Sequence, residues 1–524
     1  MAGQESGPRE NKLGRSAKGQ TGRLLCSETL RIIIVSSAEA EEGASDRNKC
    51  IIFIAPAFVS IKNGTIVGSY NGEYHQNYFL GIPYAQPPLG SLQFNAPEPV
   101  NKAWVTARSA SAYGPHCRNS PSMLPVFSQG VTYQRSEDCL ALNIVQPSGL
   151  KSFSKLPVLV WIHGGGLQDG GSADPRYNMS FVVQESVEMG FLTIGIQANI
   201  HAFGRDCSRV TIQGEPSSAI SVGHHLLANG GRDEGLFYAA IAESSCPLSS
   251  TGFLTLDQQD ERYNQVLNAA DCQDTEDTLG CLRMTPVDVL DDVFRQLRLY
   301  PVIDGSLVPD FPSISHRDGK FAMVPLLIGT NTNEGTAGLH RGVMGLDLVH
   351  GLSIATAGDL ANELREQLGT VPISPRPGYG SLYGQTTLYI GHFDFNAGRR
   401  HAAQIWSRYG VPVYSYRFNI VPAGVSPEIL GAAHFQEVAF VFKNFNGLGY
   451  AVNPFSSNST EIEAQRKTLS TLMSLANVSL PWPTYSVGNG TNILFRAGSV
   501  TLEADNARSS GIARITQALG ELRL

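Results

Sequence analysis

The sequence predicts an α/β fold with a mostly parallel central sheet flanked by helices, and three segments carry that prediction. LPVLVWIHGGG (156–166) is a near-continuous apolar run that ends in three glycines, VPLLIGTNTNEG (324–335) repeats the arrangement with a polar loop, and VPVYSYRFNI (411–420) is a third strand-like run. Strands buried on both faces have this composition, and parallel sheets supply such strands. Ligands of open α/β sheets sit at the carboxyl ends of the strands, so the residues just after each run are the place to look for chemistry.

Taken in order, residues 1–50 are polar and lack periodicity, and they read as an unstructured or mis-assigned N-terminal segment. Five basic residues (Arg9, Lys12, Arg15, Lys18, Arg23) have no apolar core behind them, so no secretory signal is recognisable there. KCIIFIAPAF (49–58) is either a displaced remnant of one or a buried first strand. From 51 to 524 the chain reads as a single α/β domain, opening with strands and glycine or proline turns. At 42% hydrophobic residues and 16% charged residues, the 524-residue chain has ample core, and its formal charge of −7 argues against nucleic acid as a partner. No run reaches the roughly 18 apolar residues of a membrane helix.

One region conflicts with the parallel reading. FLTIGIQANI (191–200) and RVTIQG (209–214) both read as strands with eight residues between them, and parallel neighbours need a crossover of about a dozen or more. Either the first is not a strand or a strand or helix is missing near 190–205.

The chemistry-bearing motifs lie where the fold places ligands. In RVTIQGEPSSAISVG (209–223) the β-formers Val210, Thr211 and Ile212 run into Gly214, and a helix opens at Ser217. Such a sharp turn displays the serine of G-x-S-x-G, but the five residues here are Gly214, Glu215, Pro216, Ser217 and Ser218. HGGG (163–166) offers backbone amides to an oxyanion, or is a plain glycine turn. Glu334, after its strand, is either a carboxylate that orients an imidazole or a solvated loop glutamate, and His434 in GAAHFQEVAFVF is either that imidazole, at a helix start facing a cleft, or an ordinary histidine. The order elbow, acid, histidine is that of α/β-hydrolases. Cys272 and Cys281 lack zinc-type spacing and read as a short disulfide loop, which with the sequons Asn63, Asn178, Asn458, Asn477 and Asn489 points to a secreted protein.

FLGIPYAQPP (79–88), SEDCLALNI (136–144), VLVWIHGGG (158–166), the elbow, GRDEGLFYAAIAES (231–244), PVIDGSLVPD (301–310), GTNTNEG (329–335) and HFQEVAFVF (434–442) resemble the type-B carboxylesterase and lipase family, its secreted fungal members most closely. The resemblance covers roughly 57–517 and implies an α/β-hydrolase fold, an acyl-serine route to ester hydrolysis and no cofactor or metal. It assigns Glu334 as the triad acid, His434 as the base, and the amides of Gly165, Gly166 and Ser217 as the oxyanion hole. It pairs Cys117 with Cys139 and Cys272 with Cys281, and the first loop holds Met123, Leu124, Val126 and Phe127, an apolar lid suited to acylglycerols, other lipophilic esters or a lipid interface. A merely stapled surface loop explains those four residues as well. Oligomeric state is left open.

The departures are specific. Pro216 stands at the nucleophile position and has no hydroxyl, Ser217 and Ser218 replace family Ala and Gly, and Gln93 replaces a usual arginine. The chain is contracted after Gly190 and between Leu475 and Trp482. Ser217 is the surrogate nucleophile, although one residue along a tight turn its side chain points elsewhere. Three readings follow: a secreted lipase or carboxylesterase whose written sequence is imperfect at the elbow and at the gaps, a catalytically inactive relative that binds esters or a protein partner, or a decayed gene product that does not fold well.

Overall fold

The computed structural model describes residues 57–118, 133–150, 156–190, 194–197, 209–232, 234–246, 253–297, 300–337, 383–455 and 483–521. The N-terminal segment 1–50, the lid residues Met123, Leu124, Val126 and Phe127, and the contraction at 475–482 lie outside them.

Eleven strands form the central sheet. In chain order they are β1 (Ser69–Asn71), β2 (Gln76–Pro83), β3 (Ala141–Pro147), β4 (Val158–Ile162), β5 (Ile194–Gln197), β6 (Val210–Gly214), β7 (Ala239–Glu243), β8 (Leu326–Asn331), β9 (Val413–Phe418), β10 (Thr491–Arg496) and β11 (Ser499–Ala504). Their spatial order is β11-β10-β9-β8-β7-β6-β4-β5-β3-β2-β1. From β5 to β10 every neighbouring pair is parallel, and antiparallel strands close both flanks.

The apolar runs enter this sheet as a period of two requires. Val158, Val160 and Ile162 of β4 join one buried cluster, with Leu226 and Leu227 of α2 (Ser217–Gly231) and with Ile405 and Trp406 of a helix at Ala397–Arg408. Leu159 and Trp161 point to the other face, against Met179, Val182 and Val183 of α1 (Met179–Glu188) and the aromatic segment 438–442. A strand with a core on either side has no polar face, which is why the run in sequence is continuous rather than alternating.

The crossover conflict resolves through strand order. β5 and β6 are not neighbours: β5 pairs with β4 on one side, Ile194 opposite Val158, and β6 pairs with β4 on the other, Val210 opposite Val158. The strand near 190–205 is therefore present. Twelve residues, 198–209, separate the end of β5 from the start of β6 in sequence, at the lower limit of length for a parallel crossover.

A hairpin of Phe58–Ile61 with Gly64–Val67 precedes the sheet. Asn63, at its turn, is only 8% exposed, and its Nδ2 donates to Val100 O at 2.6 Å. Asn178 caps α1 by accepting from Ser180 N, Asn489 is exposed, and Asn458 and Asn477 lie outside the described residues.

Candidate active site

The parallel strands β4, β6, β7 and β8 direct their carboxyl ends to one edge, and His163, Glu215, Ser244 and Glu334 lie at or just beyond those ends.

Between β6 and α2 only Glu215 and Pro216 intervene. A Cβ on Gly214 would lie 2.5 Å from Ser218 Cβ, so the closeness of strand and helix requires glycine there. Pro216 precedes the helix at φ −82° and ψ −43°, ordinary dihedrals for proline and the reverse of a strained elbow. Ser218 Oγ donates to Glu215 O at 3.0 Å and closes the turn. Ser217 is buried, and its Oγ makes no hydrogen bond among the described residues, to His434 or otherwise.

Glu334 follows β8 in a single 3-10 turn. Its Oε1 accepts from Asn331 N at 2.5 Å, and its Oε2 lies 2.7 Å from His434 Nδ1. Asn331 places the histidine as well, since its Nδ2 donates to Ala433 O at 2.7 Å. His434 is 8% exposed and Phe395 covers one side of its ring, at 4.7 Å between centroids. Burial opposes a charge on the imidazole, but the hydrogen bond to Glu334 and the fields of Glu334, Glu437 and Asp394 prevail and raise its pKa above the ordinary value. The second nitrogen, Nε2, faces Glu215 Oε1 at 3.7 Å.

Around this pair lie three buried carboxyl groups that sequence reasoning did not single out. Glu243 accepts from Gln213 Nε2, and burial followed by the field of Glu437 pushes its pKa up to about 8. Glu437 accepts from Ser244 Oγ at 2.6 Å and from Asn331 Nδ2, yet burial and Glu334 push it up to about 7. Glu215 is fully buried, neither of its oxygens has a hydrogen-bond partner among the described residues, and burial, then Glu437, Glu243 and Glu334, hold it well above the usual carboxylate range. Two of the three stand at a strand's carboxyl end, so the rule that located Glu334 was able to find them.

Gly165 (φ +126°) and Gly166 (φ +65°) adopt dihedrals that favour glycine, and a Cβ on Gly165 would meet Asp169 O at 2.1 Å. Gly165 O accepts from Gln168 N at 3.1 Å and Asp169 N at 2.9 Å, which fixes the loop. The loop lies against the elbow: a Cβ on Gly164 would fall 2.2 Å from Glu215 O and 2.7 Å from Pro216 Cδ. The amide of Ser217 is the first of α2, where helix amides lack intrahelical acceptors.

Cys117 is bonded to Cys139 and Cys272 to Cys281. Gln93 Nε2 donates to Glu137 Oε1 at 2.9 Å, a single amide hydrogen bond where an arginine would have made an ion pair. Among the described residues no cluster of histidine, cysteine, aspartate or glutamate is arranged to hold a metal, and no helix is long and apolar enough to cross a membrane.

The model of the carboxylesterase family matches residues 55–188 and 196–487. The chain is similar to Lipase 2 of Diutina rugosa, 31% identical over 349 residues that cover 53% of this chain and 62% of the lipase, so it spans less than two thirds of that relative. It is 29% identical to acetylcholinesterase of Electrophorus electricus over 457 residues, 70% of this chain and 72% of that protein. The crystal structure of EstA from Aspergillus niger matches with a TM-score of 0.76 at 24% identity over 88% of this chain and 98% of that one, a likeness of fold.

Proposed function

The chain belongs to the carboxylesterase family, and from that premise we propose that it is a secreted hydrolase of lipophilic carboxylic esters, acylglycerols among them. The observation that carries the reading is the 2.7 Å bond between His434 Nδ1 and Glu334 Oε2 at the carboxyl edge of the sheet, beside the glycine loop. Glu334 orients the ring and stabilises it once protonated, and His434 serves first as base and then as acid. The amides of Gly165, Gly166 and Ser217 receive the oxyanion. The two disulfides and the exposed sequon Asn489 support an oxidising, extracellular setting.

Position 216 supplies no nucleophile, and this favours a second reading in which the site binds esters without turning them over. Pro216 lacks a hydroxyl and sits at φ −82°, so the turn has lost both the reactive atom and its strained presentation. The two readings separate experimentally. The secreted chain is tested for cooperative thermal unfolding, then assayed with p-nitrophenyl esters of graded acyl length. Hydrolysis by the folded protein, lost in His434→Ala, upholds the hydrolase. A folded protein that retains esters without releasing p-nitrophenol upholds the binder.

A further inference from the structure

We propose that Glu215 and His434 together hold and activate a water molecule, so that this chain cleaves esters by direct attack of water with no acyl-serine intermediate. The inference rests on the hydrolase reading above and names the nucleophile which that reading leaves unassigned.

Two independent observations carry it. Glu215 Oε1 lies 3.7 Å from His434 Nε2, too far for a direct hydrogen bond and close enough for one water to reach both atoms. Glu215 is also fully buried with neither carboxyl oxygen partnered among the described residues. A buried polar group in that state calls for a partner, and a polar niche offering two or more hydrogen-bonding atoms is where a protein retains water. The neighbouring hydroxyls do not compete for His434: Ser218 Oγ is bound to Glu215 O at 3.0 Å, and Ser217 Oγ makes no hydrogen bond among the described residues.

The step balances without a covalent enzyme species. The water oxygen attacks the ester carbonyl carbon while His434 Nε2 takes one of its protons, and the carbonyl π pair moves onto the oxygen facing the amides of Gly165, Gly166 and Ser217. When the tetrahedral intermediate collapses, the bond from carbon to the alkoxy oxygen breaks and the proton on Nε2 passes to the leaving oxygen. The products are a carboxylic acid and an alcohol. Glu215 keeps its bonds throughout and fixes the water by hydrogen bonding. Attack of water activated by histidine is also how an acyl-serine enzyme completes its second half, so the retained groups already suit this step.

The test combines mass spectrometry with two variants of the full chain. Turnover of a p-nitrophenyl ester should persist after saturating treatment with a serine-reactive phosphonate, and acid-quenched protein should carry no acyl mass. Glu215→Leu should lower kcat about 10- to 100-fold with little change in KM. Glu215→Gln, of the same shape and still able to hydrogen-bond the water, should recover part of that loss. A phosphonyl or acyl mass on Ser217 or Ser218 with loss of turnover would overturn the water route and leave the hydrolase reading standing, as would an unchanged kcat in Glu215→Leu. Absence of turnover in the folded, untreated chain would instead sink the hydrolase reading, and the water route with it.

Discussion

Pro216 changes one site in two ways, and the ways can be undone together. It withholds a hydroxyl, and its ring locks φ at a value the nucleophile of a sharp elbow does not use. The base, its acid and the glycine loop remain around it. Replacing Pro216→Ser should therefore bring a phosphonate adduct at position 216 and raise the hydrolytic rate by on the order of 10²-fold or more. Failure to label would mean that Ser217 and Ser218, larger than the family's Ala and Gly, keep the turn in its relaxed form. Glu215 poses the complementary case, a buried carboxyl without a protein partner. Such a group costs stability, so Glu215→Leu should stabilise the fold by about 1–3 kcal/mol in denaturant titrations while it impairs turnover. A destabilised variant would show that Glu215 has a structural partner among its neighbours.

The elements around the site differ in how far the sequence exposes them. β4 and β8 were legible because burial on both faces leaves a continuous apolar run, and the loops after them were legible because a parallel sheet gathers its carboxyl ends. The insertion of β4 between β5 and β6 was not legible, since strand order is a non-local pairing that spacing alone does not report. Nor was the junction of β11 with the helix Ala397–Arg408, which centres on one carboxylate. Asp505 follows β11 and receives Arg399 at 2.7 and 2.9 Å, Arg400 at 2.8 and 3.0 Å, and Tyr485 OH at 3.0 Å. Burial opposes its charge, but the two guanidinium groups outweigh it and hold the carboxyl far below the usual range. Asp505→Ala would leave two buried cations without a counter-charge, with only Ser415 Oγ and Asn492 Oδ1 on Arg399 and Ala507 O on Arg400 among the described residues, and a loss of about 3–5 kcal/mol is expected from equilibrium unfolding. A loss under 1 kcal/mol would show that Arg399 and Arg400 find water once the carboxylate is gone.

Across the whole molecule, the buried titratable groups set opposing limits on stability. Burial lowers the pKa of His316 and His392 to about 3 and of His224 and His401 to about 4. These rings stay neutral in the fold while their unfolded counterparts protonate near pH 6.5, so their contribution is lost as pH falls below that value. The carboxyls work the other way. Glu243 and Glu437, raised to about 8 and 7, and Glu215, which burial also raises well above the usual carboxylate range, keep their protons in the fold when the unfolded chain releases them near pH 4.5. Their contribution is complete below that pH and declines as pH rises through the folded values, and His434, whose pKa is also raised, adds to the decline above 6.5. Each independent group changes stability by about 1.4 kcal/mol per pH unit in its window. Between 4.5 and 6.5 these histidines, joined by His116 and His163, which burial lowers as well, outweigh the three carboxyls and stability rises with pH; above 6.5 the histidines are spent and the acidic cluster, titrating as a coupled unit, pulls stability down. Thermal unfolding followed from pH 4.5 to 9 should therefore show a maximum near pH 6.5 with a fall on either side. Glu243→Gln should flatten that alkaline fall. A transition temperature that climbs steadily from pH 6 to 8 would mean that the carboxyl groups at the centre of this site are ionised in the folded protein.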